Sequence, residues 1–280
     1  MLELSLATGV IVVVIAFTAE YVDSTLGMGY GTTLTPVLMI MGFEPLQVVP
    51  AVLLSELVTG LLAGFTHHSM GNMNIRPKTM NIKRIITRIR ELGVRESARR
   101  GLPLHLRIII VIALCSIVGT VASVGLALNL PKFFLKLYIG VLVLIIGLVI
   151  LVTISQTYAF SWKKIVGLGM LASFNKGISG GGYGPVVTGG QLLAGVDGKN
   201  AIGITSMAEG LTCIVGVLAY IVSKGNVDWK LAPYLVFGAV ISVPLSAYTV
   251  KVVGTGKLRI IIGIVTTLLG GITIYKVVTA

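Results

Sequence analysis

The sequence predicts an all-α membrane protein of several transmembrane helices, and three observations predict it. Of the 280 residues, 55% are hydrophobic and 11% charged, and the mean hydropathy is +0.98. Soluble domains carry about 25% charged residues, so this chain has too few polar residues to cover a surface in water. Apolar stretches suited to a bilayer recur throughout, and the two halves of the chain resemble each other. Disorder, a collagen-like fibre, a disulfide scaffold and an ordinary soluble enzyme are excluded.

Ten apolar segments follow one another along the chain. A transmembrane helix needs about 20 apolar residues, whereas shorter segments of about 10–14 are more often re-entrant or interfacial. The second, sixth and seventh segments are short in this sense. The first segment lacks a basic flank and a cleavage site, so we expect a retained helix rather than a signal peptide. The segments are 4–19, 32–42, 46–66, 107–128, 133–154, 165–175, 185–196, 199–223, 231–250 and 258–279.

An internal repeat organises these segments. A shift of 153 positions places Gly27–Gly31 (GMGYG) on Gly180–Gly184 (GGGYG). The register continues without a gap through Glu56, which meets Glu209, to Thr59, which meets Thr212. Later the shift is 123, because the first half carries an extra loop. Duplicated halves around a central site are a common plan of secondary transporters. The sequence therefore predicts two homologous halves, each with about four full transmembrane helices plus a short re-entrant or broken half-helix at a Gly-rich motif.

The predicted organisation has four parts: 1–76 and 107–155 for the first repeat, 77–106 as a basic insert, and 162–280 for the second repeat. Ten of the 22 Lys and Arg residues lie between Arg76 and Arg107. A basic loop between apolar helices is typical of the cytoplasmic side of a membrane, and it makes a nucleic-acid partner a poor explanation of the net charge of +12. Apolar residues at helical spacing from Ile82 to Leu92 predict an amphipathic helix on the membrane surface, or a solvated connector.

The two Gly-rich motifs predict breaks between half-helices, since each glycine costs a helix about 1 kcal/mol relative to alanine. Irregular backbone at membrane depth is tolerated only inside protein or beside an aqueous cavity. The exposed N–H groups and positive dipole of a helix N-terminus form an anion site without a charged side chain. The alternative is that the glycines only allow close helix crossing. Cys115 and Cys213 both fall in apolar runs and build no disulfide or metal motif.

In this two-copy arrangement, the pair of G-x-G-Y-G segments resembles the TauE/SafE family. These membrane permeases are associated with export or uptake of sulfite, organosulfonates and related small anions. The resemblance covers nearly the whole chain apart from the insert. It implies a substrate path along both motifs, to which we add Asn175, Lys176 and Gly181 from the sequence context. The implied path residues are Gly27, Gly29, Tyr30, Gly31, Gly180, Gly182, Tyr183 and Gly184.

Five ionisable residues fall within the membrane segments, where such residues are costly and are candidates for function. They are Glu20, Asp23, Glu56, Lys176 and Glu209. Lys176 occupies the position equivalent to Asp23. We expect Lys176 to select the anion, with Asp23 or Glu20 neutralising it when the site is empty; the alternative is a permanent structural ion pair.

Glu56 and Glu209 occupy equivalent positions in the two repeats. Buried carboxylates take up protons readily, so this pair is a candidate for coupling transport to a proton gradient. Alternatively, each glutamate holds the neighbouring break in shape. His67 and His68 are interpreted as an interfacial cap at a helix end, and Trp162 and Trp229 as interfacial anchors.

The sequence thus predicts a multi-pass secondary transporter of the cytoplasmic membrane that moves a small anion by alternating access. Its partners would be the anion, the lipid bilayer and a coupling proton, and an oligomer is compatible with the sequence. The alternative is an uncoupled channel or facilitator. No cofactor, metal site or catalytic constellation is expected, so we do not expect an enzyme. Charge counts do not decide between parallel and inverted repeats, and inversion is favoured only as the commoner plan.

Overall fold

The computed structural model describes residues 6–153, 160–224, 227–252 and 256–279, and every regular element in this part of the chain is an α-helix. The predicted all-α class is therefore confirmed. The predicted boundary at 155 lies outside the described residues. In chain order the helices are α1 (Leu6–Leu26), α2 (Tyr30–Ile40), α3 (Pro45–Ser69), α4 (Ile82–Gly101), α5 (Leu104–Asn129), α6 (Lys132–Val152), α7 (Trp162–Ser179), α8 (Tyr183–Leu193), α9 (Gly198–Lys224), α10 (Ala232–Val252) and α11 (Gly256–Thr279).

Six helices in the described residues are long and apolar enough to cross a membrane: α1, α3, α5, α6, α9 and α10. In α11 the apolar stretch found is shorter, at residues 263–279. Among the described residues, length and composition thus mark four spans in the first half and two in the second, and the expected four full helices per half stay a prediction. Helix α7 carries Lys163, Lys164 and Lys176, which lowers its apolar character.

The helices pack in pairs whose relative directions follow from their contacts. α3 and α9 run antiparallel, as do α6 and α11, because contacts that advance along one helix recede along the other. α1 and α10 run parallel, as do α5 and α7. For α3 and α9 the contacts are Gly64 with Met207 and His67 with Gly203, and for α6 and α11 they are Gly140 with Ile274 and Gly147 with Thr267. For α1 and α10 they are Gly9 with Tyr234 and Tyr21 with Thr249, and for α5 and α7 they are Cys115 with Gly169 and Ser123 with Gly177. A glycine in almost every contact allows close approach of the backbones.

The short helices α2 and α8 run back along their neighbours. α1 and α3 point the same way, since Thr59 lies at Glu20 and, further along both helices, His67 lies at Ser24. Because α2 joins the end of α1 to the start of α3, it must run in the direction opposite to both helices. For α8 the reversal is visible directly in the contacts of Tyr183 with Thr212 and of Gln191 with Ala201 on α9. Both short helices therefore begin deep in the bundle.

The basic insert folds as helix α4. Its N-terminus is capped by Asn81, whose side chain accepts a hydrogen bond from Arg84 N at 3.3 Å, a standard way to satisfy a free helical N–H. Gly93 has φ 75° and kinks the helix. The predicted amphipathic helix forms, and its apolar residues Ile82 and Ile86 are exposed. Contact of this face with lipid stays a prediction.

Candidate functional site

Two chain breaks lie at the centre of the bundle. Residues 27–29 separate α1 from α2, and residues 180–182 separate α7 from α8. Gly27 and Gly180 both have φ 69°, in the left-handed region that favours glycine. Each donates its N–H to the carbonyl four residues earlier, Asp23 O at 2.6 Å and Lys176 O at 2.8 Å. The two motifs therefore end their helices in the same way.

The two breaks pack directly against each other. A Cβ on Gly184 would lie 2.6 Å from Met28 Cα, and a Cβ on Gly181 would lie 2.7 Å from the carbonyl carbon of Gly31. Neither position has room for a side chain, because backbone occupies the space. Hydroxyl groups also link the breaks, since Thr188 Oγ1 donates to Gly27 O at 2.5 Å. Close helix crossing at the glycines, which the sequence analysis gave as the alternative to an anion site, is therefore present in the structure.

A buried ion cluster lies beside this crossing. Lys176 Nζ forms ion pairs with Glu56 Oε2 on α3 and with Glu209 Oε1 on α9, the latter at 2.7 Å. The lysine is 0% exposed, and the two glutamates are 2% and 4% exposed. A single ammonium group therefore bridges equivalent carboxylates from two antiparallel helices, out of contact with bulk water.

The pairing of Lys176 with Asp23 or Glu20 that we expected is wrong. Asp23 Oδ1 instead accepts a hydrogen bond from Tyr30 N at 3.1 Å. Glu20 accepts from Ser24 Oγ at 2.6 Å and from Thr59 Oγ1 at 3.0 Å. Both carboxylates are satisfied by groups on their own helix or the next two, whereas Lys176 on α7 reaches α3 and α9.

Carboxylates already occupy the N-terminus of α2. Tyr30 N donates a hydrogen bond to Asp23 Oδ1, and Gly31 N donates one to Glu56 Oε1 at 3.2 Å. These are the N–H groups that the sequence offered to an anion. At the N-terminus of α8 the partners are hydroxyls instead, with Gly182 N donating to Thr32 Oγ1 at 3.0 Å. The first break therefore holds internal anions, and the second holds neutral groups next to Lys176.

The two motif tyrosines are fully buried and make hydrogen bonds within the protein. Tyr30 OH lies 2.7 Å from Ser55 Oγ, and Tyr183 OH accepts from Thr212 Oγ1 at 3.2 Å. Asn175 Oδ1 accepts from Tyr138 OH at 2.8 Å. The predicted path residues thus lie close together, and the side chains of Tyr30, Tyr183 and Asn175 pair with residues outside the predicted set.

Sequence reasoning missed several polar residues of the site. Thr35 Oγ1 is buried beside Gly180 and has no hydrogen-bond partner in the described part of the chain. A buried polar atom without a partner calls for a ligand or water. Thr188, at the equivalent position, donates to the first break. The signal was present, because the repeat register aligns these two threonines.

The interpretation of His67 as an interfacial cap is wrong, because its side chain is 0% exposed. Its Nε2 lies 2.9 Å from Ser24 O, so Nε2 carries the proton, and Nδ1 accepts from Asn72 Nδ2 at 3.0 Å. His67 therefore ties the end of α3 to the carbonyl of Ser24, close to the first break.

A known protein family matches most of this chain. The family described as "Sulfite exporter TauE/SafE" matches residues 12–80 and 92–272. The chain belongs to the TauE/SafE family. The unmatched residues 81–91 of this TauE/SafE protein fall inside the basic insert. The chain is 24% identical to the Bacillus subtilis (strain 168) "Probable membrane transporter protein YtnM", over 85% of its own length and 73% of that protein. No solved structure matches this TauE/SafE transporter.

Proposed function

We propose that this TauE/SafE membrane transporter is a secondary transporter that moves a small anion, such as sulfite, a sulfonate or a related sulfur or organic anion, across the cytoplasmic membrane by alternating access. The observation that carries the proposal is Lys176, a fully buried cation beside the breaks. Burying an ammonium group costs several kcal/mol after relaxation, and charges kept inside membrane segments mark substrate and ion pathways. A family named for sulfite export supports an anionic substrate.

The proposed transporter is built of two inverted repeats. Helix bounds support the repeat: the eleven-residue helices α2 and α8 begin at Tyr30 and Tyr183, which are 153 positions apart. Helix directions support the inversion. If α3 is equivalent to α9 and α6 to α11, then a two-fold axis that relates antiparallel partners lies in the membrane plane, as in inverted-topology transporters.

Counting spans supports the same topology. In the first half α1 and α2 form a hairpin that returns, while α3, α5 and α6 each cross, giving an odd number of crossings. The end of α3 lies beside the start of α5, where Asn74 N donates to His105 Nδ1 at 3.0 Å. The start of α3 lies beside the start of α6, where Glu44 and Lys132 are 3.4 Å apart. The basic insert joins α3 to α5, so the positive-inside rule places that end in the cytoplasm.

The proposed step at the site is an exchange of carboxylates for substrate. In the state described, the carboxylates of Glu56 and Glu209 both pair with Lys176. An entering anion needs the same ammonium group, and three anions around one cation in a dry site repel each other strongly. Protonation of Glu56 or Glu209 removes one negative charge and leaves Lys176 to pair with the substrate. At least one proton would then travel with each anion.

The proposal is tested by uptake of labelled sulfite, sulfate and a small sulfonate into proteoliposomes, with and without an imposed pH gradient. Saturable uptake of one anion, accelerated by the gradient and by counter-substrate inside, is expected. Glu56→Gln and Glu209→Gln should abolish the gradient effect. Saturable flux that ignores the gradient indicates an uncoupled facilitator, and absence of any anion flux contradicts the proposal.

A further inference from the structure

A basic cavity of about 380 Å³ lies where the insert meets the transmembrane helices. The end of α4, the start of α5 and the start of α7 form its walls. Its charged lining is Arg95, Arg99 and Arg107, and its apolar lining includes Ile110, Val111 and Trp162. None of the residues that line this cavity belongs to the ion cluster of Lys176, and nothing in the proposed transport step uses the cavity.

The charge of this cavity is only partly neutralised. Arg107 Nε is buried without a hydrogen-bond partner in the described residues, and the guanidinium carbon lies 5.9 Å from the centre of the Trp162 ring. The neighbouring acid is Glu96, which pairs with Arg100 at 2.8 Å and with Arg99 at 3.6 Å. The hydrogen bond from Arg100 holds the pKa of Glu96 below its usual value, so Glu96 stays ionised. Three arginines therefore line the cavity, and since the single carboxylate of Glu96 is already shared between Arg99 and Arg100, the cavity is positive.

The outer wall of the cavity is apolar and continues along α5. Ile110 and Trp162 are 39% and 38% exposed, and beyond them Leu114 and Val118 are each 61% exposed. In a helix that crosses a bilayer, this exposed face meets acyl chains. The cavity therefore combines an anion-binding end on the side of the basic insert with an apolar track that leads into the membrane.

We propose that this cavity binds the phosphodiester headgroup of an anionic phospholipid from the leaflet on the side of the insert. Arginine forks suit phosphate oxygens, and basic pockets at the cytoplasmic side of transmembrane helices take anionic lipid headgroups. A soluble phosphate would satisfy the arginines but would leave the apolar track unused. The bound lipid would connect α4 to α5 and α7, and its phosphate would give an acceptor to Arg107 Nε, which has no hydrogen-bond partner in the described residues.

The test uses the position of the two tryptophans in the chain. With Trp229→Phe, Trp162 is the sole tryptophan among the 280 residues and lies in the cavity wall. The protein is reconstituted in phosphatidylcholine vesicles with a small, fixed fraction of brominated phosphatidylglycerol or brominated phosphatidylcholine. We expect the anionic lipid to quench Trp162 more strongly. Each Arg→Gln change at Arg95, Arg99 or Arg107 should lower the relative affinity for it about fivefold.

Matched controls separate a site from general attraction to a basic protein. The triple cavity variant combines Arg95→Gln, Arg99→Gln and Arg107→Gln. Its control combines Lys83→Gln, Arg84→Gln and Arg90→Gln, which remove the same charge from the N-terminal half of α4, and this control variant should keep the preference. Equal quenching by both lipids, or equal loss in this control variant, overturns the proposal. So does relief of the quenching by added inorganic phosphate, which would identify a soluble-anion site. If the triple cavity variant fails to fold, two measurements still test the proposal. They are the quenching of Trp162 in the Arg107→Gln variant and the comparison of the two brominated lipids in the protein with all three arginines.

Discussion

The replacement Lys176→Met separates the structural from the transport role of the ion cluster. The change keeps the length of the side chain but removes the ammonium group, and it leaves Glu56 and Glu209 facing each other at 2% and 4% exposure. Removing one partner of a buried ion pair costs about 3–5 kcal/mol. For a chain of this size about 2–4 °C of melting temperature corresponds to each kcal/mol. We therefore expect the melting temperature of Lys176→Met to fall by roughly 6–20 °C.

The companion variant neutralises the whole cluster by combining Lys176→Met with Glu56→Gln and Glu209→Gln. Replacing a buried ion pair by uncharged groups of similar volume is often neutral for stability, so we expect most of the lost melting temperature to return. Anion uptake should stay absent, because no cation remains to bind substrate. Melting is followed by size-exclusion chromatography of heated samples, and transport by proteoliposome uptake. Lys83→Met, exposed on α4, is the control and should change neither.

Two results would refute this reasoning. Uptake at the level of the unmodified protein in the neutral triple variant would show that the cluster is a permanent structural bridge. An unchanged melting temperature in Lys176→Met would show that Lys176 does not pair with both glutamates in the folded protein.

Three further changes test other parts of the description. Gly184→Ala should lower the free energy of unfolding by about 1–3 kcal/mol through overpacking and should abolish uptake, because its Cβ would lie 2.6 Å from Met28 Cα. The control is Gly167→Ala, where a Cβ meets nothing within 4 Å, and it should leave the melting temperature and uptake unchanged. Equal behaviour of the two variants would contradict the packing of the breaks. Thr188→Val should lower stability by about 0.5–1.5 kcal/mol, measured as a lower melting temperature, since it removes the hydrogen bond to Gly27; no loss would argue against that bond. In a background without cysteine, a membrane-impermeant maleimide added to intact cells should label Lys230→Cys but not Arg90→Cys, and the reverse pattern would invert the proposed topology.

The fold class and the ends of the short helices follow from local sequence. Composition alone requires an apolar solvent, and glycine together with the lack of continuous helical propensity stops α1 at Leu26 and α7 at Ser179. Such features depend on neighbours in the chain, so the sequence contains them. Helix directions do not, because periodicity is the same whichever way a helix runs. Periodicity therefore does not distinguish parallel from inverted repeats, and only contacts between helices bear on that choice.

The members of the site were easier to predict than their partners. Charged residues in apolar helices stand out, so Lys176, Glu56 and Glu209 were all selected from sequence. Their pairing depends on how α3, α7 and α9 are rotated and set against one another, and no local pattern encodes this. The buried hydroxyls were missed for a different reason. Serine and threonine are common in membrane helices, so the alignment of Thr35 with Thr188 in the repeat register was a signal whose meaning became clear only once their surroundings were known.

The ammonium group of Lys176 also makes the two end states of the proposed cycle unequal. Two identical inverted halves would exchange conformations between outward-open and inward-open states of the same free energy. Here the exchange would bring Asp23, the equivalent of Lys176, into the role that the lysine had, and a negative group would stand where a positive one stood. The outward-open and inward-open forms are then chemically different receptors. Such a carrier would bind its anion more tightly from one side of the membrane than from the other. The apparent affinities for uptake and for release should then differ when they are measured in oriented vesicles.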